Sequence, residues 1–242
     1  VIARVKNAKS VDEVLAARQD YLALQTDYQT AASLSYMRYS INTVDEFYVA
    51  EKDYYDEIGP AAYNLKIEYE EALLDSPFRA ELEKALLPLL FKAFEVERKT
   101  MSPEIIEDMV EENKLVSEYS QLMAGMEFEF RGEKMPRTLL AKYYKDDDRA
   151  TRREAYEALG NGLAAHSEAL DGIFDKLVHV RDRIAKKMGY KNFVELGYYR
   201  MGRLCYDQDS VKVFRENVLK DIVPVVARLR AENAKRLGVD KY

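Results

Sequence analysis

Apolar side chains recur at intervals of three and four residues along most of the chain, which is the spacing of one face of an α-helix. In the first long stretch the positions with this spacing are Val14, Ala17, Tyr21, Leu24, Tyr28 and Ala31. Ser10 and Glu13 precede it with the spacing of a capping box, so Glu13 should reach back to the Ser10 amide. We therefore predict a helix that begins just after Ser10.

The same periodicity predicts further helices over about residues 45–74, 103–124, 148–188 and 209–237, with a short helix opened by Asn192. Three positions should interrupt them. Gly59-Pro60 is expected to break or kink the second helix, Gly160-Asn161-Gly162 to break or bend the fourth, and Pro224 to kink the last. Gly189 follows Lys186 and Lys187 and has the character of a helix stop.

Residues 126–138, MEFEFRGEKMPRT, depart from this pattern because Phe128 and Phe130 alternate with acids before a turn at Arg131-Gly132. Such alternation predicts a short β-hairpin. The fold class is therefore all-α, an antiparallel multi-helix array with one short β-hairpin near 126–138. We expect residues 1–125 to form one helical domain and residues 126–242 a second, or the two to form one continuous domain.

Composition excludes several classes of function. The formal net charge of −6 argues against general binding to nucleic acid. The longest apolar runs fall well short of the ~20 residues that a membrane span needs. The single cysteine, Cys205, cannot form a disulfide framework, which favours a cytoplasmic protein. Because the chain starts at Val1 and ends just past a predicted helix, we expect it to be a piece of a longer protein.

The chain has two histidines, His166 and His179, which lie 13 residues apart. That separation is about 220° around a helix, so the two rings cannot share one ligand. His166 and Arg181 fall on the apolar side of the predicted helix 148–188. A histidine in that position can be a ligand or a general base, but a hydrogen-bonded core residue is the commoner role. Arg181 would need a buried carboxylate or backbone carbonyls as partner.

His179 lies on the polar side between Asp175 and Asp182, a triplet that provides part of a metal site but is common on solvated helix faces. Cys205 has no histidine near it in sequence and is expected to be an unreactive buried thiol. The sequence contains no His-Glu-x-x-His, Glu-x-x-His, Cys-x-x-Cys or P-loop motif. We therefore predict neither a catalytic residue nor a metal ligand in this chain.

The most distinctive stretch is residues 189–203, GYKNFVELGYYRMGR. On a helix that starts at Phe193, Arg200 lies on the same side as Leu196, where a core residue would be expected. Tyr198, Tyr199 and Arg200 are the candidates for a substrate cleft. Arg200 either pairs with a carboxylate of a neighbouring helix or faces a cleft and meets a substrate.

In wording and order, these segments resemble a known family. KLVHVRDRIAKKMGYKNFVELGYYRMGR, preceded by SPEIIEDMVEENKLVSEYSQL and by the hairpin, is similar to the N-terminal part of oligoendopeptidase F, a branch of the thimet-oligopeptidase-type zinc metallopeptidases. The resemblance covers essentially the whole chain and is strongest from Ser102 onward. It implies a mostly helical peptidase that cleaves short peptides inside a deep channel.

In that family a His-Glu-x-x-His helix and a downstream glutamate hold one zinc ion, and the chain lacks that motif. The resemblance therefore implies that zinc belongs to the full-length protein, that these residues form a channel wall, and that they are inactive alone. It also places Tyr198, Tyr199 and Arg200 near the cleft. The expected partners are short peptides and the missing catalytic half, without which the last two helices should self-associate or expose an apolar patch. The alternative is a non-catalytic helical scaffold or interaction module.

Overall fold

The computed structural model describes residues 1–240, most of which lie in helices joined by short turns. The first half contains α1 (Ile2–Asn7), α2 (Val11–Ile41), α3 (Glu46–Leu74), α4 (Arg79–Leu86), α5 (Pro88–Glu97) and α6 (Ile106–Gly125), with 3-10 turns at Arg98–Thr100 and Pro103–Ile105. These helices confirm the all-α fold class. The predicted helix start after Ser10 is confirmed as well.

The second half opens with an antiparallel hairpin of β1 (Glu127–Phe130) and β2 (Glu133–Pro136), in which Phe128 faces Met135. It continues with α7 (Arg137–Leu140), a 3-10 turn at Ala141–Lys145, α8 (Arg149–Ala165), α9 (Ser167–Lys187), α10 (Phe193–Arg200), α11 (Gln208–Asn217), a π-helical turn at Val218–Ile222 and α12 (Val223–Leu237). The predicted hairpin is therefore confirmed.

The cap of α2 differs from the prediction in one bond. The Ser10 side chain accepts a hydrogen bond from the Glu13 amide at 3.3 Å, as a capping box requires. Glu13, however, accepts from the amide of Lys9 at 2.7 Å rather than from that of Ser10. The reciprocal bond thus reaches one residue further back, and it still satisfies a backbone donor ahead of the helix.

Pro60 lies inside α3 without ending it. Of the predicted break or kink at Gly59-Pro60, the break is therefore wrong, and the kink stays a prediction. A proline has no amide hydrogen to donate to the carbonyl four residues earlier, which here belongs to Asp56. That carbonyl instead accepts a hydrogen bond from Asn113 Nδ2 of α6 at 3.1 Å. The helix continues because a neighbouring helix supplies the missing donor.

The predicted interruption at Gly160-Asn161-Gly162 is also wrong in position, because α8 runs through these residues and ends at Ala165. Gly162 has a packing role there: a Cβ atom on it would lie 2.4 Å from the ring of Phe128. The small residue lets the hairpin approach α8 closely. His166 consequently lies in the turn between α8 and α9, and it does not share one apolar helix face with Arg181 of α9.

Three apolar cores hold the helices together. The first lies among α1 to α5 and includes Leu82 and Phe91. The second joins α3 and α6 to α9 and α10, and it includes Ile67 and Ile184. The third packs the hairpin, through Phe128, against α8. The second core contains residues from both sides of position 125, and the division into two domains there stays a prediction.

The last two helices differ from the rest. We call α11, the π-helical turn and α12 the arm (residues 208–237), and none of its residues is buried. Asp207 caps α11 by accepting from the Ser210 amide, so this helix begins at Gln208, close to the predicted start at about residue 209. The π-helical turn directly precedes Pro224, where a kink was predicted. The exposed large apolar side chains of the arm are Val213, Phe214, Leu219, Ile222, Val223, Val225, Val226, Leu229 and Leu237.

Candidate functional site

The short helix α10 is positioned by a tight stop and a cap. Gly189 ends α9 with φ 83°, and the Tyr190 amide donates to the Ala185 carbonyl at 2.9 Å. A glycine in the left-handed conformation followed by a hydrogen bond that spans six residues is the pattern of a Schellman motif. The predicted helix stop is therefore confirmed. Asn192 then caps α10 by accepting from the Val194 amide at 2.9 Å. Local signals in the sequence therefore fix where α10 begins.

Arg200 lies against two neighbouring helices. Its Nη1 donates to Glu112 Oε2 of α6 at 2.8 Å, and Arg181 Nε of α9 donates to the other oxygen, Oε1, at 2.7 Å. The ring of Phe193 has both guanidinium groups above it, at 5.7 Å for Arg181 and 5.5 Å for Arg200. One carboxylate and one ring therefore join α6, α9 and α10, and Arg181 has the carboxylate partner that the sequence required.

The second terminal nitrogen of Arg200, Nη2, is enclosed and has no hydrogen-bond partner within residues 1–240. The Arg200 side chain as a whole is 20% exposed. Its charge also acts on Tyr63, which shares a 2.8 Å hydrogen bond with Thr100. Burial raises the pKa of Tyr63, against the opposing effects of the Thr100 hydrogen bond and of the Arg200 charge. Arg200 is thus held in place by α6, with one donor left over.

Tyr198 and Tyr199 lie on another side of α10 and line one cavity of about 160 Å³. The Tyr199 hydroxyl donates to Glu195 Oε1 at 3.1 Å, and Lys99 Nζ lies 4.7 Å from the Tyr199 ring centre. Burial, and then the interaction with the Glu195 carboxylate, raises the pKa of Tyr199. The structure therefore brings Tyr198 and Tyr199 together, whereas Arg200 is not among the residues that line this cavity.

Arg203 and Tyr206 also line this cavity, and neither was among the residues predicted from the sequence. Gly202, with φ 62°, reverses the chain after α10 and brings Tyr206 back toward it. The Arg203 guanidinium lies 4.7 Å from the Tyr198 ring centre and 5.0 Å from that of Tyr206. A signal was available in the sequence: an arginine next to a turn glycine, with tyrosines on both sides.

Comparison with known proteins adds to this geometry. Residues 1–101 match the family model described as the Peptidase M3 N-terminal domain. Three solved structures match nearly the whole chain with a TM-score of 0.95. Two are crystal structures of proteins assigned as oligoendopeptidase F, each 40% identical to this chain, one of them from Bacillus anthracis str. Ames. The chain is an oligoendopeptidase F-like member of the M3 peptidase family.

The third structure, PZ peptidase A with an inhibitor, is 41% identical to this chain. The matches cover 99–100% of this chain but only 42–44% of theirs, so the chain spans less than half the length of these M3 peptidases. What it matches is their N-terminal portion, as the sequence resemblance implied. None of the curated proteins matches the chain significantly.

Ion pairs between α6 and α9 strengthen the framework of this M3 chain. Asp108 accepts from Arg183 Nε at 2.7 Å and from Lys187 Nζ at 2.5 Å, and Arg183 also pairs with Glu111. Burial by itself would raise the pKa of Asp108, but the hydrogen bonds from Lys187 and Arg183 hold it below its ordinary value of 3.8. Asp108 therefore remains charged and fixes α9 on α6.

The other candidate residues do not form a site. The Nδ1 atom of His166 lies 2.9 Å from the Gly162 carbonyl, and His179 is exposed with Asp175 3.4 Å away. Asp182 pairs with Lys186 rather than with His179. Cys205 is exposed, so its predicted burial is wrong: it lies in the turn beyond α10, where no helix covers it.

Within residues 1–240, no three His, Cys, Asp or Glu side chains cluster closely enough to hold a metal ion. The residues that the structure describes in this M3 chain thus offer no group of ligands for a zinc ion. The same range contains no helix that is both long and apolar enough to cross a membrane.

Proposed function

We propose that this chain forms part of the substrate channel wall of a zinc-dependent oligoendopeptidase that hydrolyses short peptides. The observation that carries the proposal is the match over 99–100% of the chain, at 40% identity and a TM-score of 0.95, to structures assigned as oligoendopeptidase F. Identity at that level over the whole chain supports a shared role as well as a shared fold.

Catalysis is assigned to residues outside this chain. Its described residues do not fit a zinc ion, and the M3 structures that it matches are more than twice as long. We therefore assign no catalytic role to residues 1–240 and propose that the chain is inactive by itself. The zinc would be held in the part of a longer chain that these residues do not include.

The role proposed for α10 is to present tyrosines to a peptide. Tyr198 and Tyr199 line the same cavity, and a tyrosine offers both an apolar ring and a hydroxyl to a peptide backbone. Arg200 acts on the cleft through α10, because its bond to Glu112 fixes that helix and its free nitrogen is enclosed. Arg200 is then a positioning residue rather than a contact.

The arm is proposed to pack against the rest of the peptidase. Its exposed side chains include Leu219 and Leu229, at 68% and 50%. Apolar surface of that extent is normally covered by a partner, and a chain without that cover should self-associate. We further propose the cytoplasm as the compartment, because the single thiol, Cys205, is free and exposed.

The test compares hydrolysis of a quenched fluorescent hexapeptide by two samples. One is residues 1–242, and the other is the longest natural chain that contains them. We expect no hydrolysis and no bound zinc in the first sample, and hydrolysis that a chelator abolishes in the second. Turnover with stoichiometric zinc by residues 1–242 would refute the assignment. Failure of the longer chain to cleave any short peptide would favour the helical scaffold instead.

A further inference from the structure

Arg203 differs from the other arginines near α10 in its partners. Arg181 and Arg200 both donate to Glu112. Arg203, in contrast, has no carboxylate within 4.0 Å among the described residues 1–240. A guanidinium that is ordered but not neutralised is a ready partner for an anion.

The tyrosines on either side hold Arg203 in place. Its guanidinium carbon lies 4.7 Å from the ring centre of Tyr198 and 5.0 Å from that of Tyr206. A cation–π contact engages the charge of a guanidinium and uses none of its N–H groups as hydrogen-bond donors. The N–H edge can donate two parallel hydrogen bonds to a carboxylate. The tyrosines therefore orient Arg203 without using its donors.

Arg203 and Tyr206 line two adjacent cavities that differ in charge. The cavity of about 160 Å³ also contains Glu195 and Asp207, which would repel an anion. The second, of about 360 Å³, is lined by Arg203, Tyr206, Ser210, Val211 and Phe214, and none of these is acidic. An anion can therefore approach Arg203 from the second cavity, beside two apolar side chains.

We propose that Arg203 binds the C-terminal carboxylate of a short peptide, with the apolar side chain of its last residue against Val211 and Phe214. A C-terminal residue carries its carboxylate and its side chain on the same carbon, which suits a cation next to apolar surface. The side chain of an internal Asp or Glu would bring the charge without the apolar group. This inference rests on the proposed function, since it needs a short peptide as ligand.

The experiment is calorimetric titration of the longest natural chain that contains residues 1–242, with a chelator present so that the peptide stays intact. Two hexapeptides of the same sequence are compared, one ending in phenylalanine with a free carboxylate and the other in phenylalanine amide. We expect the acid to bind about tenfold more tightly, because the amide removes the charge that Arg203 pairs with. Arg203→Gln should reduce this ratio to about one.

A control variant keeps the test specific. Arg230→Gln removes an exposed arginine of α12 and should leave the ratio unchanged. Far-UV circular dichroism of each variant checks that it is folded.

The outcomes separate the two proposals. Equal binding of acid and amide by the unmodified protein, or an unchanged ratio in Arg203→Gln, overturns the role of Arg203 and leaves peptide binding intact. Binding of neither peptide overturns the proposed function and this inference together. A preference that Arg203→Gln and Arg230→Gln reduce equally would show a general charge effect, which also contradicts a specific site.

Discussion

The helices of residues 2–200 and those of the arm are built by the same local rules, yet only the first set is buried. Asn192 caps α10 and Asp207 caps α11 in the same manner, each by accepting from backbone amides. Leu196 of α10 is nonetheless fully buried, whereas Leu229 of α12 is 50% exposed. Local sequence therefore decides that a helix forms, and a partner decides whether its apolar side is covered.

Truncation of one leucine in each region tests this contrast most strongly. Leu196→Ala should lower the free energy of unfolding by about 3 kcal/mol, because it leaves a cavity in the second core. Leu229→Ala in the arm should lower it by less than about 0.5 kcal/mol, since the side chain is already half in water. Urea unfolding followed by circular dichroism measures both. Equal losses would mean that the arm is packed in solution.

The next largest effect on stability is expected at Glu112, because its carboxylate joins three helices. Glu112→Gln should lower the free energy of unfolding by about 2 kcal/mol, since it leaves Arg181 and Arg200 without a counter-charge. The control is Glu111→Gln, whose carboxylate is 53% exposed and pairs only with Arg183. It should cost less than about 1 kcal/mol. If the two variants lose the same free energy of unfolding, the Glu112 carboxylate does not hold the three helices together.

Substitution of two glycines of α8 compares a closely packed position with an open one in the same helix. Gly162→Ala should destabilise the chain by about 1–2 kcal/mol, because the new methyl group would overlap the Phe128 ring. Gly160→Ala meets nothing within 4 Å, and it should stabilise the chain by up to about 1 kcal/mol through better helix propensity. Thermal unfolding of the two variants should shift in opposite directions. A stabilised Gly162→Ala protein would contradict the close contact.

The smallest expected effect concerns pH. Asp108 has a folded-state pKa below its ordinary value of 3.8, so its ion pairs stabilise the fold above that pH, and the contribution is lost as the pH falls through the folded pKa. Asp108→Asn should cost about 1 kcal/mol at pH 7. The difference from the unmodified protein should shrink as the pH drops below about 4. Urea unfolding at several pH values measures it.

The control for this measurement is Asp182→Asn, whose more exposed carboxylate pairs with Lys186 on the same helix. Its cost should stay under about 0.5 kcal/mol at every pH. A cost for Asp108→Asn that does not change between pH 7 and pH 3 would show that charge is not what stabilises this contact.

Short-range chemistry made much of the fold predictable. The serine cap of α2, the glycine stop after α9 and the turn of the hairpin each depend on a few consecutive residues, and the structure confirms them. The break predicted at Pro60 does not occur, because Asn113 donates the hydrogen bond that the proline cannot. Asn113 lies 53 residues away in sequence, so local reasoning could not find it. The break predicted at Gly160-Asn161-Gly162 fails for a similar reason. Gly162 leaves space for the ring of Phe128 from the hairpin, a contact that is distant in sequence.

The candidate site was predictable in part. The sequence singled out α10, and the structure places Tyr198 and Tyr199 on one cavity. The sequence held a signal for Arg203, an arginine next to a turn glycine, but the contact with Tyr206 depends on the reversal at Gly202, which only the fold shows. Whether Tyr198, Tyr199 and Arg200 serve a substrate cleft remains a prediction.

The arm contains one π-helical turn, at Val218–Ile222. A regular helix advances about 100° per residue, and a π-helical turn takes in one more residue than an α-helical turn. The side chains of α12 are therefore offset by about 100° from the directions that an uninterrupted α-helix continuing from α11 would give them. A partner that packs along the arm has to match this offset, and deleting one residue of the turn should remove it.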